Sequence, residues 1–121
     1  IPCYLECEEA PALRNIDTAK ALFRIAQEAL HNAVKHSQAS RIIISIRNVR
    51  DGVVLSVNDD GVGMPENRST VRDHEETPES GGVGLHGMLY RARSIGATLE
   101  FRRNRDGGTT VFCRVPKRRC Q

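Results

Sequence analysis

The sequence predicts a two-layer α/β sandwich, of the α+β kind, in which a mixed, mostly antiparallel sheet carries helices on one face. Three observations point there. Two pairs of strand-like runs are joined by turn chemistry, at Asp51-Gly52 and at Arg105-Asp106-Gly107-Gly108, so hairpins dominate. Two helical stretches interrupt the strands, and the longer one has apolar residues at helical spacing. The resulting order is β, α, β, β, loop, α, β, β, with no internal repeat. At 121 residues, the chain suits a single domain with one core.

Residues 2–8 read as a short strand, ended by "EEAPALRN". A helix starts near Asp17, a residue type suited to an N-cap, and runs to about His36. Its expected apolar face is Leu22, Phe23, Ala26, Ala29, Leu30, Ala33 and Val34. A strand follows from Ser40 to Val49, then the Asp51-Gly52 hairpin signal and the second arm "VVLSVND". Residues 65–81 hold one large apolar side chain, Val71, which cannot build a core element. They read as a loop, and loops this long often serve as lids. A second helix is expected from roughly His86 to Ile95, and "ATLEFRRN" and "TTVFCRVP" form the last hairpin.

Composition narrows the function classes. Aromatics make up 4% and Trp is absent, so packing rests on Ile, Val, Leu and Ala. The net charge of +3 is mild, and its excess sits in "PKRRCQ" and "FRRNRDGG". These read as a solvated face rather than a nucleic-acid footprint. The cysteines, Cys3, Cys7, Cys113 and Cys120, form no C-x-x-C pair and have no His at zinc-finger spacing. Cys3 and Cys7 would share one face of a strand, and nothing in the sequence supports a disulfide between them. Buried thiols in a reducing compartment are the default expectation. No apolar run approaches the ~18 residues of a membrane-spanning helix, and no signal peptide opens the chain. The abrupt start "IPCYLECEE" reads as a piece of something larger.

Three groups of residues carry chemistry. On the first helix Glu28, Asn32, Lys35 and His36 share a polar stripe, with Arg24 and His31 beside it. A solvated helix face would explain such a stripe on its own. The Asn is less expected there, being a middling helix former, and its oxygen suits Mg²⁺. A Glu one turn earlier could reach the metal indirectly or accept a proton, and Lys35 could meet a phosphate.

The second group is "NDDGVGMP", where Asp59 and Asp60 end a strand and Gly61 and Gly63 follow. A turn or a metal-binding carboxylate pair would each account for it. An acceptor for the exocyclic amine of adenine, with glycines admitting the flat ring, suits the glycines better.

The third is "SGGVGLHGM", residues 80–88. A glycine-rich turn leading into a helix N-terminus points backbone N–H groups at an anion, and the helix dipole assists. Gly82, Gly84 and Gly87 also match G-x-G-x-x-G, with Glu100 near the distance of a ribose-binding acid. That fingerprint must directly follow a strand, and here a polar loop precedes it. A flexible loop closing onto a helix would tolerate the glycines without requiring so many. Taken together, the three groups supply a Mg²⁺ ligand, an adenine acceptor and a phosphate cradle, which are the parts of an ATP site.

"QEALHNAVKHS", "VNDDGVGMP" and "GGVGLHGMLYRARSIGATLEF" resemble, in order, the N, G1 and G2 boxes of the ATP-binding catalytic domain of sensor histidine kinases. The superfamily also holds gyrase B, the MutL repair protein and the heat-shock chaperone ATPases. The variant here looks most like the nitrate-sensor and desaturase-thermosensor branch of two-component kinases. The resemblance spans about Asp17 to Pro116 and implies the Bergerat fold, with ATP and Mg²⁺ between the N-box helix and a lid at about 65–81. Carried over by motif, Asn32 is the Mg²⁺ ligand. Glu28 acts beside it, through metal-bound water or as a proton acceptor, and Lys35 and His36 approach the phosphates. Asp59 accepts from the adenine amine, with Gly61 and Gly63 beside the base. Gly82, Gly84, Leu85 and Gly87 line the phosphates. Met88 packs beneath the site or belongs to the plain core.

The resemblance further implies a cytoplasmic domain, whether or not its parent is membrane-anchored. The phosphoacceptor His should lie in an H-[DE] motif on a separate dimerisation helix. His31 and His36 sit in the N box and His86 in the second glycine box, while His74-Glu75 lacks an amphipathic helix around it. Autophosphorylation by this chain alone is therefore not expected. The implied partners are the dimerisation and phosphoacceptor domain of a homodimeric parent and a downstream response regulator, this domain by itself being monomeric. Other expectations weighed are a superfamily ATPase with Glu28 activating water, an anti-sigma serine kinase, and a catalytically silent nucleotide-binding scaffold.

Overall fold

The computed structural model describes residues 2–7, 11–36, 38–61, 82–105 and 107–121, with the backbone alone at residues 36 and 82–85. The elements run β1 (Cys3–Glu6), α1 (Ile16–His36), β2 (Ile42–Val49), β3 (Gly52–Asp59), α2 (Gly82–Ser94), β4 (Thr98–Arg103), β5 (Thr109–Pro116) and α3 (Lys117–Cys120). The five strands form one sheet in the order β1-β2-β3-β5-β4. β1 pairs parallel with β2, across the α1 crossover, and the other three pairings are antiparallel. The expected mixed, mostly antiparallel sheet is thus what the chain builds. The lid at 65–81 and Gly63 lie outside the described residues.

The core lies between the sheet and the helices. Leu22, Ile25, Ala29 and Ala33 of α1, with Met88 and Ala92 of α2, pack on Val53, Leu55 and Val57 of β3 and on Cys113 and Val115 of β5. Alternation along a strand then places odd-numbered β3 and β5 residues under the helices and even-numbered ones on the outer face. On that outer face Arg102 and Arg114 lie over the Phe112 ring, at 5.0 and 6.0 Å from its centre. Arg102 also pairs with Glu100 at 3.1 Å.

Several sequence expectations need correction. The buried stripe of α1 is Thr18, Leu22, Ile25, Ala29 and Ala33, whereas Phe23 and Val34 are 61% and 52% exposed. The helix has an apolar arc wider than its contact, and the sheet and α2 cover only part of it. Its cap is Asn15, whose Oδ1 accepts the Thr18 N–H at 3.2 Å, so Asp17 lies inside the first turn. β1 stops at Glu6, so Cys7 lies beyond it. Cys3 and Cys7 are exposed thiols, not buried ones, whereas Cys113 and Cys120 are buried.

The first hairpin turns at Arg50 and Asp51, with Val49 opposite Gly52. Gly52 is needed for another reason: a side chain there would collide with the Val115 carbonyl oxygen on β5. α2 begins at Gly82, a full turn before the expected start, and takes the glycines into its first turns. The basic tail forms α3, an element absent from the sequence reading. Its buried Cys120 joins the core, and its backbone carbonyl accepts the N–H groups of Arg14 and Asn15 at 2.6 and 3.0 Å.

Candidate functional site

Chain direction brings the three residue groups to one end of the sandwich. The N-terminus of α1 meets α3, where the Thr18 hydroxyl donates to the Arg119 carbonyl at 2.6 Å. α3 follows β5, whose final residue, Pro116, is paired with Gly52. The C-terminal half of α1 therefore runs toward the opposite end, where Ile42 opens β2 beside Asp59. α2 leads out through Gly96, beside the Arg119 side chain, into β4 at the α3 end. Thirteen helical residues, about 20 Å, carry its N-terminus back toward the Asp59 end.

On α1, Glu28, Asn32 and Lys35 lie roughly a quarter turn from the buried stripe, as 3.6 residues per turn requires. Glu28 and Asn32 are half-buried at the edge of the core, and Lys35 is exposed. The side chains of His36 and Leu85 are outside the description, as are those at the first turn of α2. Gly82 and Gly84 open that helix, and N–H groups in a first turn have no partner within the helix. Gly87 comes one turn later; its carbonyl accepts from Arg91 Nη1 at 3.3 Å. Met88 is fully buried in the core cluster.

Asp59 is the buried acid of the group, 6% exposed, on the helix side of the sheet at the end of β3. Its Oδ1 accepts the Gly61 N–H at 2.9 Å and the Thr109 N–H at 3.3 Å. Burial raises its carboxyl above the ordinary value, the two N–H groups oppose that rise, and the Asp60 charge adds to it. Asp60 is spent differently. Its carboxylate accepts from the Ser40 N–H and hydroxyl at 2.8 and 2.6 Å and from the Arg41 N–H at 2.9 Å. The Ser40 hydroxyl leads the lowering of its pKa. The two acids are therefore spent on different partners: one ties the start of β2 to the end of β3, and the other keeps acceptor capacity at the sheet end.

Sequence reasoning passed over the residues that surround Asp59 from the β4–β5 hairpin. Thr109 holds its carboxylate, and Gly108 (φ +90°) lies so close to the Asp59 carbonyl that a side chain would strike it. The Asn104 side chain donates to Asn58 Oδ1 at 2.9 Å and to the Asp59 carbonyl at 3.3 Å, and its own Oδ1 accepts from the Thr110 hydroxyl at 2.7 Å. The run "NRDGGTT" announced a turn, and its two adjacent glycines were the signal of a close backbone approach.

A family model described as "Histidine kinase-, DNA gyrase B-, and HSP90-like ATPase" matches residues 17–119. The nitrate/nitrite sensor protein NarX of Escherichia coli K12 is 37% identical over 110 residues, which is 91% of this chain and 17% of that protein. The sensor protein NarQ homolog of Haemophilus influenzae is 40% identical over 96 residues, 78% of this chain and 15% of that protein. The chain thus spans less than a fifth of the length of these relatives. Among solved structures, the ATP binding domain of PrrB from Mycobacterium tuberculosis shares the fold. Its TM-score is 0.72 at 24% identity, over 95% of this chain and 80% of that one.

Proposed function

The chain belongs to the histidine kinase-, DNA gyrase B- and HSP90-like ATPase family, and from that premise we propose that it is the catalytic domain of a two-component sensor kinase. In this reading it binds Mg-ATP and presents the γ-phosphate to a histidine on the dimerisation and phosphoacceptor domain of its parent. A response regulator then receives the phosphoryl group. The observation that carries the reading is the convergence at one end of the sandwich of Asp59, the Glu28/Asn32/Lys35 stripe and the glycine-led N-terminus of α2.

Each residue has a task in this proposal. Asp59 accepts the adenine amine, and Gly61 and Gly63 leave the base room. Gly82, Gly84 and Gly87, in the box that also holds Leu85, leave the backbone of α2 accessible to phosphate oxygens, and the helix dipole favours the phosphate charge. Lys35 and His36 add cationic donors. Asn32 and Glu28 are oxygen donors, the set that Mg²⁺ prefers, so the residues fit the metal. Magnesium held there would offset triphosphate charge during transfer. The protein's own contribution is chiefly to orient the γ-phosphate and to hold fixed dipoles around it.

Calorimetry with Mg-ADP and Mg-ATP, with NAD as control, tests the binding: adenine nucleotides should bind and NAD should not. In the complete kinase, Asn32→Asp should lower phosphotransfer by about a hundredfold or more, the scale of losing one electrostatic stabiliser. Full activity in that variant would sink the assignment of Asn32.

A further inference from the structure

We propose that Asn104, in the turn between β4 and β5, is a positioning residue for adenine recognition, fixing the backbone of Asp59 from the face of the sheet opposite the nucleotide. The inference rests on the reading of Asp59 as the adenine acceptor.

The geometry divides the work between two faces. Asp59 projects under the helices, where the N–H groups of Gly61 and Thr109 orient its carboxylate. The neighbouring pair Asn58 and Thr110 projects to the outer face. There the Asn104 amide spans both strands. It donates to Asn58 Oδ1 and the Asp59 carbonyl on β3, and it accepts from the Thr110 hydroxyl on β5. Its orientation is determined, because only the amide nitrogen can donate and only the oxygen can accept.

Asn104 is also locked at its own backbone. Its N–H donates to the Gly108 carbonyl at 3.0 Å, and its carbonyl accepts the Gly107 N–H at 3.2 Å. Gly108 in turn sits against the Asp59 carbonyl. On the β5 side the ladder ends at Asn58 opposite Thr110, so Asp59, paired with Ile42 on β2, keeps freedom on that side. A displacement of 1 Å in the acceptor is enough to spoil a hydrogen bond to the base. Asn104 removes that freedom without touching the ligand.

The test compares Mg-ADP with Mg-IDP, which carries a carbonyl where adenine carries the exocyclic amine, on this 121-residue chain by calorimetry. Wild type should favour ADP, and Asp59→Asn should abolish most of that preference. Asn104→Ala should weaken ADP about three- to tenfold, the scale of one hydrogen bond, and leave IDP within about twofold. Asn104→Asp keeps the shape and the acceptor for Thr110 but loses both donated bonds and sets a carboxylate against the Asp59 carbonyl, so it should weaken ADP at least as much as the Ala variant. Should either Asn104 variant fail to fold, Thr110→Val removes a single bond of the same bracket and should narrow the preference less. Equal weakening of ADP and IDP, or an unchanged preference, would mark Asn104 as merely structural and overturn the inference while Asp59 stands. An unchanged preference in Asp59→Asn would remove the adenine-acceptor reading and the inference with it.

Discussion

At the scale of single residues, Asp59 and Asp60 show how adjacent identical side chains come to opposite roles. Asp59 is buried and its pKa is raised by that burial; Asp60 is exposed and its pKa is lowered by the Ser40 hydroxyl and the Arg41 N–H. Their effects on stability have opposite signs. For Asp60 the contribution is present above the ordinary carboxylate value and is lost as pH falls through the lowered one. For Asp59 the folded protein holds the proton more tightly than the unfolded chain, so stability falls as pH rises from 3.8 through the raised value. Asp59→Asn should therefore be as stable as wild type at pH 7, or more stable by about 1 kcal/mol or less. The gap should close below pH 3.8, and nucleotide binding should be weakened throughout. Thermal melts at both pH values check this; a variant less stable at pH 7 than wild type, with parity in acid, would contradict it. The pair "DD" before glycine was legible as a site, but which acid did what was not. Gly61 apart, their partners come from residues 40, 41 and 109, remote in the chain.

Among the elements, α1 was legible in extent and amphipathicity but not in phase. Its apolar residues run from Ile25 round to Val34, nearly half the helix circumference. A helix wheel cannot say which part of so broad an arc meets the sheet. The structure buries the half centred on Ile25 and Ala29 and leaves Ile16, Phe23 and Val34 in solvent. Ile25→Ala should therefore cost about 2–5 kcal/mol, transfer and cavity together. Phe23→Ser should stay within about 0.5 kcal/mol despite removing a larger side chain. Urea titration of both variants decides the phase, and the reverse order of costs would refute it. α2 shows the complementary error. Glycines argued against a helix before residue 86, yet the helix begins at Gly82. Low intrinsic propensity is a weak prior, and here packing against α1 and the core overrides it. For the site, this moves the first turn that the proposal assigns to the phosphates into the glycines themselves rather than after them.

For the whole molecule, α3 closes the end of the sandwich away from the candidate site. It was illegible because four residues of mostly basic character carry no helical period. Its role arises from long-range contacts: the Thr18 hydroxyl, the Arg14 and Asn15 N–H groups and the buried Cys120 all depend on it. Deleting residues 117–121 should lower stability by about 2–4 kcal/mol, through lost hydrogen bonds and an opened core. Nucleotide affinity measured well below the melting temperature should change less than about twofold. Denaturant melts beside calorimetry separate the two effects, and a large loss of affinity in the folded variant would show that the two ends are coupled. The bracket around Asp59, by contrast, dictates an order of assembly. β2–β3 and β4–β5 are hairpins whose strands meet across short turns, and such pairings form quickly. The bonds from Asn104 and Thr109 to the end of β3 join residues 45 to 50 positions apart and exist only after the two hairpins have met. The setting of Asp59 at the sheet end is therefore completed late in folding, and a half-folded chain lacks the acceptor that the proposal assigns to the base.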